Sequence, residues 1–347
     1  MLKDMEGNTV HLLANHNPHF LILGCSGAGK TYFACRKIEE KYENGDCIYV
    51  FDYSASYALS ELEKNHFQYM DDVHIINPME EKLHWNFSGK DINNSLVDAL
   101  IRGLKITSYY QKRLLREGIG NVFKENDDFS FPSLVMQLEQ MHLLKEDYES
   151  QKNIVHLLNR FEPFGGIKEL CISAGLQETQ KESERGLTII QLSDYSEIQR
   201  KFLTEFLAEL FWEEARYGKK KADIVLFDEF QNMSIKRGSA LSAMLREGRK
   251  FGLSVYLSTQ FLGNYDKESV DTLTQAGNMI FFKPTEREIK SVANMIDPNH
   301  PKEWRNILNK LKIGEAVIKG NYCLNAMKRE IQTPILCKVE EVKTHEI

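Results

Sequence analysis

An apolar segment that runs directly into a glycine-rich turn limits the folds open to this chain more than any other feature. Residues 20–23 are Phe-Leu-Ile-Leu, and residues 24–31 are GCSGAGKT, which match the pattern G-x-x-x-x-G-K-[ST] at every fixed position. A short apolar run of this kind is typical of a strand buried on both faces of a parallel sheet. The segment therefore predicts a strand, a tight loop and a helix within an α/β fold.

The glycine-rich loop also predicts a binding site for nucleotide phosphates, against the alternative of a purely structural glycine turn. Glycines let the backbone turn tightly and direct N–H groups at phosphate oxygens, and the helix that begins near Gly29 points its positive end at the anion. The motif assigns Lys30 to the β- and γ-phosphates and the Thr31 hydroxyl to Mg²⁺. The predicted ligands are ATP and Mg²⁺, held by Gly24, Cys25, Ser26, Gly27, Ala28, Gly29, Lys30 and Thr31.

A pair of acids follows a second apolar run and supplies what a nucleotide hydrolase needs besides the loop. Ile-Val-Leu-Phe at 224–227 is followed by Asp228 and Glu229, and ligands of open α/β sheets bind at the carboxyl ends of strands. We expect Asp228 to hold Mg²⁺ and Glu229 to orient and deprotonate the attacking water. The alternative is a solvated acidic pair at a strand end.

Gln260 ends the next predicted strand, at 253–258. A polar amide at that edge can contact the γ-phosphate or its water and so distinguish ATP from ADP. The alternative role is to cap the turn that follows.

Three cations, Arg246, Arg249 and Lys250, lie within five positions before that strand. A helix C-terminus favours cations there through its dipole, which is the structural explanation. The functional alternative is an arginine finger, here Arg249, that reaches the γ-phosphate bound by a neighbouring subunit.

Predicted strands and helices alternate along much of the chain. This indicates an α/β, mostly parallel sheet with helices on both faces. The apolar stripe of 197–217, which includes Ile198, Phe202 and Phe206, predicts a helix packed on the sheet. Strands are expected near 19–23, 46–51, 73–76, 187–192, 223–227, 253–258 and 278–282, and helices near 29–43, 54–64, 197–217, 239–250 and 285–296.

One stretch interrupts the alternation. Residues 91–185 have helical patterns without a convincing strand, so we expect an all-helical insertion there, within a core formed by 1–90 and 186–347. Near the C-terminus, 312–323 predicts two strands joined at Gly320-Asn321, and 331–339 predicts a last strand.

Composition narrows the class of protein further. The 347 residues are 42% hydrophobic and 27% charged, which is typical of a globular chain. There is no apolar run of 18 residues, and the first residues lack a basic stretch followed by a long apolar core, so we expect no secretory leader. The six cysteines are scattered without a CxxC pair, so we expect a cytoplasmic protein without a membrane span. The net charge of −6 does not favour a nucleic-acid binder, although a ring can hold positive charge in a narrow pore.

Several segments together resemble the FtsK/HerA superfamily of hexameric P-loop motors. Within that superfamily the chain is most similar to HerA-like ATPases and to conjugative coupling and type IV secretion ATPases. The segments lie in the family's order and cover roughly residues 17–320. They are FLILGCSGAGKT, IYVFDYSASY, INPMEEKLHWNF, IVLFDEFQNM, LREGRKFGLSVYLSTQ and KIGEAVIKG.

The resemblance implies a RecA-like ATPase core in a homo-hexameric ring, with ATP sites between neighbours. It implies that Arg249, or else Arg246, acts on the ATP of the next subunit. It also implies movement of double-stranded DNA through a central pore without sequence specificity, with Lys236 and Arg237 after Glu229 as DNA contacts. Only about 18 residues precede the first core strand, fewer than the β-barrel of HerA proteins or the membrane helices of coupling proteins require, so we expect a motor core almost alone.

The leading functional hypothesis is thus an ATP-driven DNA translocase. Lys30, Glu229, Arg249 and Gln260 are its expected catalytic residues. A first alternative is a nucleotide-gated hexameric scaffold that activates a partner effector, such as a nuclease in phage defence. A second alternative is a motor for conjugation or type IV secretion docked to a membrane complex.

Overall fold

The computed structural model describes residues 2–13, 17–65, 67, 73–87, 92–174, 185–218, 220–325 and 329–340. The strands in these ranges are β1 Leu2–Asp4, β2 Val10–Leu12, β3 Phe20–Leu23, β4 Cys47–Asp52, β5 Val73–Ile76, β6 Leu83–Phe87, β7 Asp128–Phe129, β8 Leu170–Ala174, β9 Gly186–Gln191, β10 Ile224–Phe227, β11 Ser254–Thr259, β12 Asn278–Phe282, β13 Glu315–Lys319, β14 Tyr322–Leu324 and β15 Ile335–Val339. The α-helices are α1 Lys30–Glu43, α2 Leu59–Lys64, α3 Ile92–Gly103, α4 Tyr109–Glu125, α5 Phe131–Leu144, α6 Tyr148–Phe161, α7 Glu197–Arg216, α8 Ala240–Glu247, α9 Lys267–Leu273, α10 Ile289–Ile296 and α11 Pro301–Lys310. Two 3₁₀ turns are η1 Phe230–Asn232 and η2 Gly248–Phe251.

The chain divides into two compact units. The first unit comprises Met1–His74, Glu184–Ile189 and Ala222–Ile347. The second unit comprises Ile75–Ser183 and Ile190–Lys221.

A large sheet forms the centre of the first unit. Its order begins β1-β15-β13-β12-β3-β11-β10-β4 and continues with β9 and β5, which both begin in this unit. The strands from β12 to β4 are parallel, whereas β13, β15 and β1 add an antiparallel edge. Every residue of β3, β4, β10 and β12 is buried, which explains why these strands are apolar almost throughout.

The seven strands expected from the sequence are all present within one or two residues of their predicted ends. The helix expected at 54–64 instead begins at Leu59. The reason is Asp52, whose carboxylate accepts the backbone N–H groups of Ser54, Ser56 and Tyr57 at 3.0 to 3.3 Å. These bonds fold the residues after β4 into a loop, since aspartate competes in this way with helical hydrogen bonding.

The two strands expected within 312–323 exist, but they do not pair with each other. β13 lies between β12 and β15, whereas β14 pairs with β2 in a separate two-stranded sheet. The prediction missed β1 and β2, which have three residues each and are too short to show a period.

The second unit corrects the expectation of an all-helical insertion. It contains helices α3 to α7, but β7 and β8 also lie within 91–185. β8 pairs in parallel with β6 and antiparallel with β7, and β6 precedes the predicted insertion. The unit therefore begins earlier than residue 91, at Ile75, and includes α7, which the prediction had placed in the core.

Helix α7 contributes aromatic rings to the core of the second unit. Phe202 lies 4.2 Å from Phe164 and 5.6 Å from Phe131 between ring centroids, and Phe206 stacks on Phe202. Ile198, predicted to belong to the apolar stripe, is instead 62% exposed. Among the described residues, no helix combines the length and the apolar character needed to cross a lipid bilayer.

Candidate nucleotide-binding site

The loop between β3 and α1 has a backbone that requires glycine at three positions. Gly27 and Gly29 have φ of 72° and 112°, in the left-handed region that side chains disfavour. At Gly24 a Cβ atom would lie 2.6 Å from Cβ of Phe282. The loop therefore has the shape that phosphate binding needs, with its glycines where the backbone turns or packs closely.

Neighbouring strands hold this loop in place. The Cys25 N–H donates to the carbonyl of Lys283 at 2.8 Å, and the Gly314 N–H donates to the carbonyl of Ala28 at 3.1 Å. These bonds connect the loop to the end of β12 and to the turn before β13.

Lys30 begins α1 and lies at the mouth of the loop. Its side chain is buried, and Nζ donates to the carbonyl of Cys25 at 3.1 Å. Burial lowers the pKa of Lys30, while the nearby charges of Glu229 and Asp228 oppose that shift. The ammonium group thus lies between the phosphate loop and the acidic pair.

Asp228 follows β10 directly and is 3% exposed. Burial raises the pKa of Asp228 to about 7, Asp52 and Glu229 act in the same direction, and Ser54 and Lys30 oppose it. The Ser54 hydroxyl donates to Oδ2 of Asp228 at 2.6 Å.

This role of Ser54 was not predicted from the sequence. The loop after β4, held by Asp52, brings Ser54 to Asp228 because β4 and β10 are adjacent parallel strands that end together. The segment YSAS within IYVFDYSASY, singled out for its resemblance to the family, was the available indication.

Glu229 has a left-handed backbone, with φ of 49° and ψ of 44°. Strained conformations of this kind in residues other than glycine cluster at functional sites. Oε1 of Glu229 accepts from the amide of Gln260 at 2.5 Å, and Oε2 accepts from the amide of Gln231 at 2.5 Å. The Thr259 hydroxyl in turn lies 2.5 Å from Oε1 of Gln231.

These contacts bear on the two roles considered for Gln260. Its amide is directed at Glu229, whereas the Thr259 hydroxyl accepts the Phe261 N–H at the start of the following turn. The Gln260 amide therefore serves to hold the Glu229 carboxylate. The Gln231 amide does the same, and this role of Gln231 was not predicted from the sequence.

A cavity of about 450 Å³ joins these groups at the carboxyl ends of β3, β10 and β11. It lies wholly within the first unit. Eight of its lining residues were predicted site residues: Ser26, Gly27, Gly29, Lys30, Thr31, Asp228, Glu229 and Gln260. The others are Tyr32, Ser54, Ser56, Glu61 and Asn65.

The donor set of this cavity fits Mg²⁺. Carboxylate and hydroxyl oxygens are the ligands this ion prefers, and the Thr31 hydroxyl and the carboxylates of Asp228 and Glu229 line one cavity. Thr31 and Asp228 are the residues that would hold the ion, together with the nucleotide phosphates.

The predicted loop residues Gly24, Cys25 and Ala28 do not line the cavity, and neither do the four predicted cations. Arg246 and Arg249 are exposed near the end of α8 and in η2. Lys236 and Arg237 are exposed in the segment between η1 and α8. The cavity therefore does not indicate that these four cations act on the nucleotide bound by their own chain.

The glycine loop with Lys30, and the acidic pair on a parallel strand near it, define a P-loop nucleotide-binding protein with a RecA-like sheet. The family described as "Helicase HerA, central domain" matches residues 2–211. The chain belongs to this family, within the FtsK/HerA superfamily of P-loop ATPases, as its sequence segments indicated.

Known proteins support this assignment at low identity. The chain is 24% identical over 344 residues to the DNA double-strand break repair helicase HerA of Saccharolobus solfataricus, covering 90% of this chain and 64% of that protein. It spans 62% to 64% of the length of the first curated relatives it matches.

Two solved structures share the fold. VirB4 of Thermoanaerobacter pseudethanolicus has a TM-score of 0.68 at 15% identity, covering 97% of this chain and 95% of that one. The plasmid coupling protein TrwB in complex with ADP and Mg²⁺ has a TM-score of 0.65 at 15% identity, covering 93% and 86%.

Proposed function

We propose that this chain hydrolyses ATP and uses the energy to move double-stranded DNA, as one subunit of a homo-hexameric ring. The observation that carries the proposal is the convergence of Lys30, Thr31, Asp228, Glu229 and Gln260 on one cavity. The chain's membership of the HerA central-domain family supports DNA as the substrate.

The first part of the mechanism is nucleotide binding. The backbone N–H groups of the loop and the Lys30 ammonium would hold the phosphates. The Thr31 hydroxyl and Asp228 would hold Mg²⁺, which would supply positive charge to offset that of the phosphates. TrwB, which shares the fold, binds ADP and Mg²⁺.

The second part is attack by water. Glu229 takes a proton from the water that attacks the γ-phosphorus, and the two amides on its carboxylate fix the direction of its oxygens. Arg249 of a neighbouring subunit stabilises the negative charge that develops on the transferred phosphoryl group. Gln260 contacts Glu229 and couples loss of phosphate to movement of the chain after it.

The third part is contact with DNA. Lys236 and Arg237 are exposed soon after Glu229 along the chain. Cations of this kind contact phosphates and not base edges, so they give binding without sequence specificity that weakens as salt rises. As an ATP-consuming ring that acts on DNA, the protein is expected to work in the cytoplasm.

The test is ATP hydrolysis by the purified chain, alone and with long double-stranded DNA. Lys30→Ala and Glu229→Gln remove a phosphate contact and the base, and we expect each to reduce kcat by at least about a hundredfold. Lys152→Ala removes an exposed cation of α6 and is the matched control, expected to leave hydrolysis unchanged.

Stimulation of hydrolysis by duplex DNA, lost in both site variants and kept in the control, supports the motor. Hydrolysis by the wild type that is slow and indifferent to DNA contradicts it. That result would favour the nucleotide-gated scaffold that activates an effector protein.

A motor for conjugation or secretion is a second candidate, favoured by the shared fold with TrwB and VirB4. Its distinguishing requirement is a membrane-bound partner. Co-purification with a membrane complex, together with hydrolysis that responds to that complex more than to duplex DNA, would select it.

A further inference from the structure

Helix α4 carries an exposed group of basic and aromatic side chains that the proposed ATP-driven mechanism does not use. Residues 102–116 contain five cations and no Asp or Glu, in a chain whose net charge is −6. Two tyrosines, Tyr109 and Tyr110, lie within the same stretch. Such a local reversal of charge indicates a surface for a polyanion.

The helix presents these side chains together. Leu114, Leu115 and Ile119 bury one face of α4 within the second unit. On the opposite face, Tyr109, Arg113 and Arg116 follow one another at i, i+4 and i+7, so they are neighbours. We call Tyr109, Tyr110, Lys112, Arg113 and Arg116 the basic-aromatic face.

The tyrosine rings of this face are available for contact. Tyr109 is 74% exposed and Tyr110 is 54% exposed. The Arg113 guanidinium lies 5.8 Å from the centroid of the Tyr110 ring. The first turn is held by Ser108, whose hydroxyl accepts the Gln111 N–H as the helix cap, so the rings project from an ordered helix.

The positive charge of this face is not neutralised within the part of the chain that the structure describes. There, no carboxylate forms an ion pair with Lys112, Arg113 or Arg116, and the Arg116 side chain instead donates to Oδ1 of Asn94 at 3.4 Å. The nearest acid along α4, Glu117, is paired with Lys145 at 2.7 Å. Three cations thus remain for an external anion.

We infer that the basic-aromatic face binds single-stranded DNA, with its cations on the phosphates and its tyrosines stacked on unpaired bases. Base stacking on exposed aromatic rings combined with backbone phosphate contacts is how proteins hold single strands without reading their sequence. A duplex keeps its base faces stacked internally and would leave the tyrosines unused. The choice of DNA as the nucleic acid rests on the proposed function.

The experiment measures binding of the full chain to a labelled oligothymidine of about 20 nucleotides, longer than the site of most single-strand-binding folds. A duplex of equal length is measured in the same way. Both kinds of DNA are tested without ATP or ADP, over a series of salt concentrations. Fluorescence anisotropy reports the dissociation constants.

The double variant Tyr109→Ala/Arg113→Ala removes one ring and one cation from the face. Its matched control is Tyr148→Ala/Lys152→Ala on α6, which also removes a tyrosine that is 73% exposed and a cation four residues later. Asp147 and Glu149 flank Tyr148, so that site lacks a positive surface. Both double variants change exposed side chains, and far-UV circular dichroism checks that their helices persist.

We expect the α4 double variant to weaken binding of the single strand by about tenfold or more, which is the scale of one lost stacking contact. The slope of log K against log salt should become shallower by about 0.7 for the one cation removed. The α6 control should bind like the wild type, and Tyr109→Phe, which keeps the ring, should do the same.

Equal affinity of the wild type and the α4 variant for the single strand would overturn the inference. A second result would also overturn it: the α4 double variant loses affinity equally for duplex and single strand, and Tyr109→Ala alone loses none. Binding would then depend on the cation alone, and any polyanion could occupy the face. Hydrolysis stimulated by long duplex DNA is measured on the same proteins. If duplex DNA does not stimulate hydrolysis by the wild type, but single strands bind in a tyrosine-dependent way, the proposed motor function is wrong and the proposed role of the basic-aromatic face is supported.

Discussion

Glu229 is held by two amides at once, and this arrangement gives a specific expectation for Gln231. Gln231 does not line the nucleotide cavity, but its amide donates to Oε2 of Glu229. Gln231→Ala should therefore lower kcat for ATP by about tenfold, the scale of one hydrogen bond to a charged group, with KM nearly unchanged. Steady-state hydrolysis across a range of ATP concentrations measures both.

Asn232→Ala is the matched control for Gln231. Asn232 lies in the same 3₁₀ turn, and its amide donates to the backbone carbonyl of Glu229 at 3.3 Å, not to its carboxylate. A kcat within about twofold of the wild type is expected. A Gln231→Ala enzyme with altered KM and normal kcat would show that Gln231 serves binding and not the base.

Ser54 is the side chain that donates to the proposed magnesium ligand. Loss of a group that orients a metal-binding carboxylate commonly weakens metal affinity tenfold or more. Ser54→Ala should thus raise the Mg²⁺ concentration needed for half-maximal hydrolysis by about tenfold. Ser56→Ala, which removes a hydroxyl 2.7 Å from Ser54, should have a smaller effect, and equal shifts would argue against the contact with Asp228.

Among the site residues, those that are contiguous in sequence could be predicted. The phosphate loop is contiguous, and Asp228 and Glu229 directly follow an apolar strand, so pattern alone located them. Ser54 meets Asp228 only after β4 and β10 align in register, and no local pattern encodes that alignment. Gln231 lies two residues after Glu229, and its contact depends on the left-handed backbone of Glu229 and the 3₁₀ turn that follows.

At the scale of elements, His19 connects three of them. It lies just before β3 and is 1% exposed, and its Nδ1 accepts the Val255 N–H of β11 at 3.0 Å. Burial lowers the pKa of His19 to about 4, and a hydrogen bond to the backbone of Leu245 in α8 opposes the shift. The ring therefore stays neutral in the folded chain.

This makes the stability of the fold depend on pH in a defined window. The pKa of His19 is about 6.5 in the unfolded chain and about 4 in the folded chain, so between these pH values only the unfolded chain protonates the ring. The free energy of unfolding should therefore fall as the pH drops through this window, by about 3 kcal/mol from this residue.

Urea unfolding at several pH values from about 4.5 to about 7.5 gives the free energy of unfolding as a function of pH. His19→Gln removes the titrating group and should flatten the dependence while lowering stability at pH 7.5. A variant as steeply pH-dependent as the wild type would assign the slope to other groups.

Elements buried in the central sheet were predictable because their apolar runs have few other interpretations. β7 was not, since it has only two residues, and β8 finds its parallel partner β6 on the other side of four helices in sequence. The separation of β13 from β14 depended likewise on which distant strand each one joins.

At the scale of the whole molecule, the proposed role of Arg249 requires two copies of the chain. Arg249 is exposed and does not line its own cavity. Arg249→Ala alone and Lys30→Ala alone should each be nearly inactive. Mixed together, they should recover part of the hydrolysis, because an intact site on one subunit then meets an intact arginine on the next.

Hydrolysis of the two variants, measured separately and after mixing, decides the matter. A mixture no more active than the sum of its parts would indicate that Arg249 acts within its own chain or not at all. The double variant Arg249→Ala/Lys30→Ala mixed with Lys30→Ala is the control, since it offers no intact site.

Family membership and the parallel sheet could be predicted for the molecule as a whole, because motifs in a fixed order define them. The extent of the second unit could not. The chain enters the second unit at Ile75 and again at Ile190, and it returns to the first unit at Glu184 and Ala222. Compactness of this kind depends on packing between segments far apart in sequence.

The phosphate loop is bonded to its surroundings through Cys25 and Lys283, and through Ala28 and Gly314. A loop fixed in this way needs no folding step when a nucleotide arrives, and little conformational freedom is lost on association. Capture of the nucleotide should then be limited by diffusion and not by loop closure. The turn before β13 should in addition exchange its amide hydrogens more slowly once a nucleotide holds the loop still.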